Sequence, residues 1–103
     1  MATPRVLVIA GSDCSGGAGL EADQKVLAVH GCYAMTATTA LTAQNTLGVQ
    51  DVHVTPPSFV AKQINSCLDD IKADVVKIGR ELLFPAYMAI TLSDLRLRHA
   101  GLS

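Results

Sequence analysis

Residues 6–19 read V-L-V-I-A-G-S-D-C-S-G-G-A-G, a short apolar run followed directly by a glycine-rich loop. A continuous apolar run of this kind, rich in Val and Ile, is typical of a strand buried on both faces of a parallel sheet. After the loop, apolar residues recur at helical spacing until Gly31, which is a favourable residue for ending a helix. The stretch therefore predicts a strand over residues 5–10 and a helix over residues 17–30.

Three further segments continue this order of strands and helices. Residues 33–39 belong to an uncharged, threonine-rich run that predicts a second buried strand. Residues 56–70 carry apolar side chains at helical spacing behind a proline pair, which predicts a helix with Thr55 as its N-cap. Residues 74–79 predict a third strand. Because strands and helices alternate, we expect an α/β fold with a mainly parallel sheet and right-handed crossovers.

Two other segments are less regular. Residues 47–54 alternate apolar and polar side chains, which predicts a half-exposed strand or flap. Residues 86–98 follow a proline and show mixed periodicity, and we interpret them as a further helix.

Composition restricts the class of protein. The chain has 103 residues, half of them hydrophobic, and a formal net charge of -1, so it fits one domain and carries no basic stripe for nucleic acid. No apolar window reaches the roughly 20 residues that span a bilayer, and we expect neither a signal peptide nor membrane association. Three widely spaced cysteines predict reduced thiols and a cytoplasmic location.

A Walker phosphate loop is the first interpretation of the glycines. Gly11 and Gly16 have the required spacing, but Gly17 and Ala18 follow where that loop needs Lys and then Ser or Thr. The lysine that contacts the terminal phosphates and the hydroxyl that holds magnesium are both missing. The sequence therefore excludes a Walker loop.

A dinucleotide-binding fingerprint is the second interpretation. Gly17-x-Gly19-x-x-Ala22 fits its spacing and opens the predicted helix. The fingerprint also needs an acidic residue about 20 positions further on, and residues 25–49 contain neither Asp nor Glu. The match is therefore weak.

A small-molecule pocket is the third interpretation, because parallel sheets bind ligands outside the carboxyl ends of their strands. The polar or small residues predicted near those ends are Ser12, Asp13, Ser15, Asp23, Gln44, Lys77 and Gly79. Asp23 offers a carboxylate to a ligand hydroxyl or amine, and Gln44 offers a donor and an acceptor to a heterocycle. Each also has an ordinary structural alternative: Asp13 caps a turn, Asp23 faces water and Gln44 closes a loop.

Four motifs together resemble one family. They are V-L-V-I-A-G-S-D-C-S-G-G-A-G-L-E-A-D (6–23), T-A-L-T-A-Q-N-T-L-G-V-Q (39–50), P-P-S-F-V-A-K-Q (56–63) and V-V-K-I-G (75–79). The pattern resembles the hydroxymethylpyrimidine/phosphomethylpyrimidine kinases of thiamine biosynthesis, in the ribokinase-like superfamily and related to pyridoxal kinases. The resemblance covers residues 5–79 almost without a gap.

The resemblance implies an incomplete ribokinase-like αβα sandwich and a pocket for an aminopyrimidine. The residues that would bind this substrate are Gly11, Ala18, Asp23, Thr42 and Gln44. Asp23 would bind the hydroxymethyl group that receives phosphate, Thr42 would face the ring, and Gln44 would bind its nitrogens. The family uses ATP with magnesium to phosphorylate the alcohol and then its monophosphate, and phosphoryl transfer of this kind depends on positioning and charge neutralisation. A homodimer is a further alternative that the sequence leaves open.

The sequence departs from the family after residue 79. Arg80-Glu81-Leu82 stands where the family has an apolar pocket residue, and residues 80–103 do not resemble the family's later parts. We therefore interpret residues 1–79 as the N-terminal part of a pyrimidine-kinase domain and residues 80–103 as a divergent tail. The family's catalytic base and anion hole lie outside the matching part, so we expect no retained catalytic residue and no turnover by this truncated chain alone.

Two alternatives to a pyrimidine kinase stay open at this point. One is a non-catalytic fragment that binds a pyrimidine or pairs with a partner through an exposed sheet edge. The other is a relative of the pyridoxal kinases. Cys14, inside the glycine loop, is interpreted as filling a variable position of the motif rather than as a reactive thiol.

Overall fold

The structure is a computed structural model and describes residues 3–79. Its elements are β1 (Arg5–Asp13), α1 (Gly19–Val29), β2 (Tyr33–Asn45), β3 (Gly48–Val54), α2 (Pro57–Asp70) and β4 (Val75–Ile78). The four strands form one sheet in the order β3-β2-β1-β4. β1 pairs in parallel with β2 and β4, whereas β3 is antiparallel to β2. The predicted α/β fold with a mainly parallel sheet is confirmed.

The central strand β1 is buried on both faces because successive side chains of a strand point in opposite directions. One face packs against α2 in a cluster of Leu7, Ile9, Met35, Ala37, Val60 and Ile64. The other packs against α1 in a cluster of Val6, Val8, Ala10 and Leu20. The sheet therefore lies between two helices, and the uninterrupted apolar run of β1 follows from that position.

Both long strands extend beyond their predicted ends, which were residues 10 and 39. β1 continues through the first residues of the glycine loop, because Ser12 pairs with Leu41 and Asp13 pairs with Thr42. The pairing register shifts between Ala10 and Ser12, which adds one residue to β2 at that point. β2 then continues to Asn45 in a hairpin with β3. The carboxyl ends of these strands consequently carry polar residues that local propensity assigns to loops.

The predicted helices need smaller corrections. α1 begins at Gly19 rather than residue 17, and its Val26 and Val29 are 57% and 85% exposed although the apolar spacing predicted a buried face. For α2, the N-cap is Pro56 and not Thr55. The amide of Thr55 instead donates to the carbonyl oxygen of Thr39 at 2.9 Å, which fixes the chain as it leaves β3.

The predicted strand over residues 47–54 is present as β3, but all seven of its residues are exposed rather than one face of them. The predicted helix over residues 86–98 and the divergent tail lie outside the described residues. Within residues 3–79, no helix has the length and hydropathy needed to cross a bilayer.

Candidate functional site

A cavity of about 360 Å³ opens at the carboxyl ends of β1, β2 and β4. All the residues predicted from the resemblance line it, namely Gly11, Ala18, Asp23, Thr42 and Gln44. Lys77 and Gly79, which the sequence placed at the end of the third strand, line it as well. The strand ends therefore meet where the general rule for parallel sheets expects a ligand.

The glycine loop is organised by Asp13, which is 4% exposed. One carboxylate oxygen accepts the Ser15 amide at 2.8 Å and the Ser15 hydroxyl at 2.6 Å, and the other accepts the Gly17 amide at 3.0 Å. The Gly16 amide donates to the Asp13 carbonyl at 2.9 Å, and the Lys25 ammonium donates to the Gly16 carbonyl at 2.7 Å. The amides of Ser15, Gly16 and Gly17 therefore donate to Asp13. In a phosphate-binding loop, amides of this kind would instead donate to the phosphate.

The pKa of Asp13 lies below its usual value. The hydrogen bond from the Ser15 hydroxyl is the main cause, and the backbone amides of Ser15 and Gly17 add to it against the opposing effect of burial. The carboxylate is therefore kept ionised inside the loop. This arrangement supports the structural alternative for Asp13, since it holds the turn together.

Glu21 fastens the loop to the first turn of α1, a role that sequence reasoning missed. Its carboxylate accepts the Ser12 hydroxyl at 2.6 Å and the Asp13 amide at 2.8 Å. Burial raises the pKa of Glu21, but the hydrogen bonds from Ser12 and Asp13 lower it more, and the net pKa is below the usual value. The only signal in the sequence was an acidic residue in the first helical turn, which also has a generic explanation at helix N-termini.

Gln44 is held by a short chain of hydrogen bonds from β1. The Thr42 hydroxyl donates to the Ser12 carbonyl at 2.8 Å and accepts the Gln44 side-chain amide at 2.6 Å. The thiol of Cys14 accepts the Gln44 backbone amide at 3.2 Å and donates to its carbonyl at 3.3 Å. Cys14 therefore ties the loop to β2, and Thr42 fixes the direction in which the Gln44 amide points.

Asp23 and Lys77 form an ion pair at the cavity, between the second turn of α1 and the end of β4. The Asp23 side chain is 17% exposed, and that of Lys77 is 54% exposed. Sequence reasoning placed both residues at this end of the sheet but did not pair them. The carboxylate of Asp23 is accordingly not the solvent-facing group of the structural alternative.

Gly19 brings the start of α1 against the loop strand. It forms an isolated antiparallel bridge with Ser12 and has a φ of +59°. A Cβ atom at this position would overlap the carbonyl oxygen of Gly11. The cavity wall therefore requires glycine at this position both for its backbone conformation and for its closeness to β1.

Residues 13–100 match the sequence model of the family described as phosphomethylpyrimidine kinase. The chain belongs to this family. The match confirms the resemblance on which the pocket residues were predicted. It continues past residue 79, and the proposed division of the chain at that residue stays a prediction.

A curated relative and two solved structures carry the same similarity. A probable thiamine biosynthetic bifunctional enzyme, chloroplastic, from Oryza sativa subsp. japonica is 53% identical over 79 residues, which are 77% of this chain and 14% of the relative. The crystal structure of phosphomethylpyrimidine kinase from Clostridium difficile 630 superposes with a TM-score of 0.85 and 39% identity, over 94% of this chain and 42% of that one. The pyridoxal kinase from Staphylococcus aureus, in complex with AMP-PCP and pyridoxal, has a TM-score of 0.70 and 37% identity, over 78% and 30% of the two chains.

These similarities confirm the ribokinase-like αβα fold. This chain spans less than half of the length of each of these three proteins. Because of this partial coverage, the activity of the whole kinase is only proposed for this chain, although the chain belongs to the family.

Proposed function

We propose that the cavity binds the aminopyrimidine substrate of a hydroxymethylpyrimidine/phosphomethylpyrimidine kinase of thiamine biosynthesis. The proposal rests on the observation that all five pocket residues implied by the family line one cavity. They are Gly11, Ala18, Asp23, Thr42 and Gln44. A relative from Mycobacterium tuberculosis bears the name of this kinase and is 51% identical over 79 residues. The reaction class is phosphoryl transfer from ATP to the hydroxymethyl group and then to the monophosphate.

Asp23 and Gln44 have complementary chemistry for this substrate. The Asp23 carboxylate accepts a hydrogen bond from the hydroxymethyl group at the point where phosphate is added. Gln44 uses one side-chain N–H toward Thr42, which leaves its second N–H and its carbonyl oxygen outside that hydrogen bond. A donor and an acceptor side by side match a ring nitrogen and an amino group of an aminopyrimidine.

In this proposal ATP supplies the phosphoryl group, as it does in the kinase family that the chain resembles. The structure of the S. aureus pyridoxal kinase in complex with AMP-PCP supports a nucleotide of this kind. Residues 3–79 contain no cluster of three His, Cys, Asp or Glu side chains that could hold a metal without a ligand, and magnesium in kinase sites is usually held by one or two carboxylates together with the substrate phosphates. No step through magnesium is assigned to these residues, and no catalytic base is placed among them. We expect the 103-residue chain alone to bind the pyrimidine without turnover above the blank in an assay with ATP and magnesium.

Removing the charge of Asp23 tests the proposed contact with the hydroxymethyl group. Asp23→Asn should weaken hydroxymethylpyrimidine binding about tenfold in isothermal titration calorimetry, because a hydrogen bond to a charged group becomes a neutral one. Asp70→Asn removes the same charge at an exposed position at the end of α2 and should leave binding unchanged. Equal affinities for Asp23→Asn and the unmodified chain would contradict this assignment.

The Thr42 hydroxyl offers a second test, since it holds Gln44 without forming the proposed contact to the ring nitrogens. Thr42→Val should weaken binding of the pyrimidine roughly threefold to tenfold, which corresponds to the loss of about one neutral hydrogen bond. Thr42→Ser keeps the hydroxyl and should restore most of the affinity in the same titration. If Val and Ser variants bind equally, the hydrogen bond between Thr42 and Gln44 has no part in recognition.

A pyridoxal-kinase-like function is the second candidate, favoured by the similarity to the S. aureus enzyme. Titration with pyridoxal beside hydroxymethylpyrimidine separates the two functions, and tighter binding of pyridoxal would contradict our proposal.

A cytoplasmic location and a homodimer stay predictions. The rice relative is named as a chloroplastic protein.

A further inference from the structure

Among the described residues that line the cavity, Lys77 is the one with a cationic side chain. The charged side chains that line the cavity are Asp13, Asp23 and Lys77. The carboxylate of Asp13 is occupied by the amides and hydroxyl of its own loop. The electrostatics facing a ligand are therefore set mainly by the ion pair between Asp23 and Lys77.

This balance matters because the proposed substrates differ strongly in charge. Hydroxymethylpyrimidine presents a neutral alcohol, whereas its monophosphate carries roughly -1.5 to -2 charges near neutral pH, as phosphate monoesters do. A carboxylate at Asp23 suits the alcohol, whose O–H can donate to it. The same carboxylate repels the phosphate ester unless a cation lies beside it.

We propose that Lys77 is the residue that lets this cavity accept the phosphate ester as well as the alcohol. The inference rests on the proposed function and assigns a role to a residue outside the predicted pocket set. With the alcohol bound, Lys77 neutralises Asp23. With the ester bound, its ammonium group, which has three N–H donors, contacts the phosphate while it remains beside the carboxylate.

The position of Lys77 favours this double role. It lies opposite Val8 in the register of β4 with β1, so its backbone is fixed by the sheet. Its side chain is 54% exposed, and the four-carbon stem can swing the ammonium group toward the cavity opening without disturbing the buried core. A point charge on a flexible stem can adapt to two ligands that place their polar groups differently.

Calorimetric titration of the full chain with each ligand tests this role. Lys77→Met should weaken binding of the monophosphate about tenfold to 100-fold, the range expected for losing a charged hydrogen bond. Its affinity for hydroxymethylpyrimidine should fall by less than its affinity for the monophosphate, because the alcohol is neutral and Lys77 acts on it only through Asp23. Lys77→Arg should recover most of the affinity for the monophosphate, and Lys62→Met, an exposed lysine on α2, should behave like the unmodified chain.

The outcomes separate this inference from the proposed function. If the unmodified chain binds neither ligand, the proposed function and the role of Lys77 both fail. If it binds the alcohol but not the monophosphate, or if Lys77→Met weakens both ligands equally, the role of Lys77 alone fails. Far-ultraviolet circular dichroism checks that the Met variant is folded, and Lys77→Gln repeats the comparison with a polar side chain of similar length.

Discussion

Replacing Gly19 by alanine is expected to lower the free energy of unfolding by about 3 kcal/mol and the melting temperature by 12 °C or more. The backbone at Gly19 has a φ of +59°, in the left-handed region that costs other residues roughly 1–2 kcal/mol. An added Cβ would also overlap the Gly11 carbonyl oxygen and lie 3.2 Å from the Gly11 carbonyl carbon. These are backbone atoms of β1, so the contact cannot be relieved by a rotamer change.

Gly31→Ala is the matched control for this prediction. Gly31 has a similar φ of +72°, but a Cβ there would meet no atom within 4 Å. Gly31→Ala should therefore lower the free energy of unfolding only by the cost of the left-handed backbone conformation, about 1–2 kcal/mol. Thermal unfolding followed by circular dichroism measures both variants, and their difference reports the close approach of α1 to β1. Equal losses of stability would show that the loop can move away from an alanine at residue 19.

The order of elements could be predicted because each helix and each parallel strand carries its own local pattern. The run from Val6 to Ala10 is apolar at every position, and that pattern occurs when a strand is covered on both faces. In α2, Val60 and Ile64 recur one turn apart and are both fully buried. The alternation of such segments then left a mainly parallel sheet as the simplest arrangement.

The ends of the strands could not be predicted in the same way, because they depend on partners far along the chain. β2 continues past residue 39 since β3 pairs with it from Ala40 to Asn45. β1 continues into Ser12 and Asp13 because β2 offers them pairing positions. Gly, Ser and Asp are uncommon in strands, so local propensity predicts a loop here. It does not take these hydrogen bonds to distant strands into account.

In the candidate site, too, the sequence could predict where residues lie but not which side chains contact each other. The sequence could assign Asp23, Gln44 and Lys77 to one edge of the sheet, because the carboxyl ends of parallel strands meet there. It could not show that Asp23 pairs with Lys77, or that Thr42 connects Gln44 to the Ser12 carbonyl. Those contacts depend on side-chain direction and on the extra residue in β2, which follow from the folded sheet rather than from spacing.

Asp13→Asn is expected to lower the melting temperature by about 10 °C at pH 7, because a buried amide loses its acceptor. In the variant, one side-chain atom can still accept from Ser15, but the new NH₂ group faces the Gly17 amide, which also donates. Asp70→Asn, at an exposed position at the end of α2, should shift the melting temperature little. A loop held by backbone geometry alone would give equal melting temperatures for the two variants.

The dependence of this difference on pH shows whether the charge of Asp13 is responsible. Its pKa is lowered in the folded protein, so its contribution is fully present above the unfolded value, near pH 4, and is lost as pH falls through the folded pKa. The gap in melting temperature between the unmodified chain and Asp13→Asn should therefore be constant from about pH 7 to pH 5 and should narrow as the pH falls below about 4. A protonated carboxyl then resembles the amide, since both present one acceptor and one donor to the loop. A gap that stayed constant as the pH fell below about 4 would place the loss in packing at residue 13 and not in the carboxylate that orders the glycine loop.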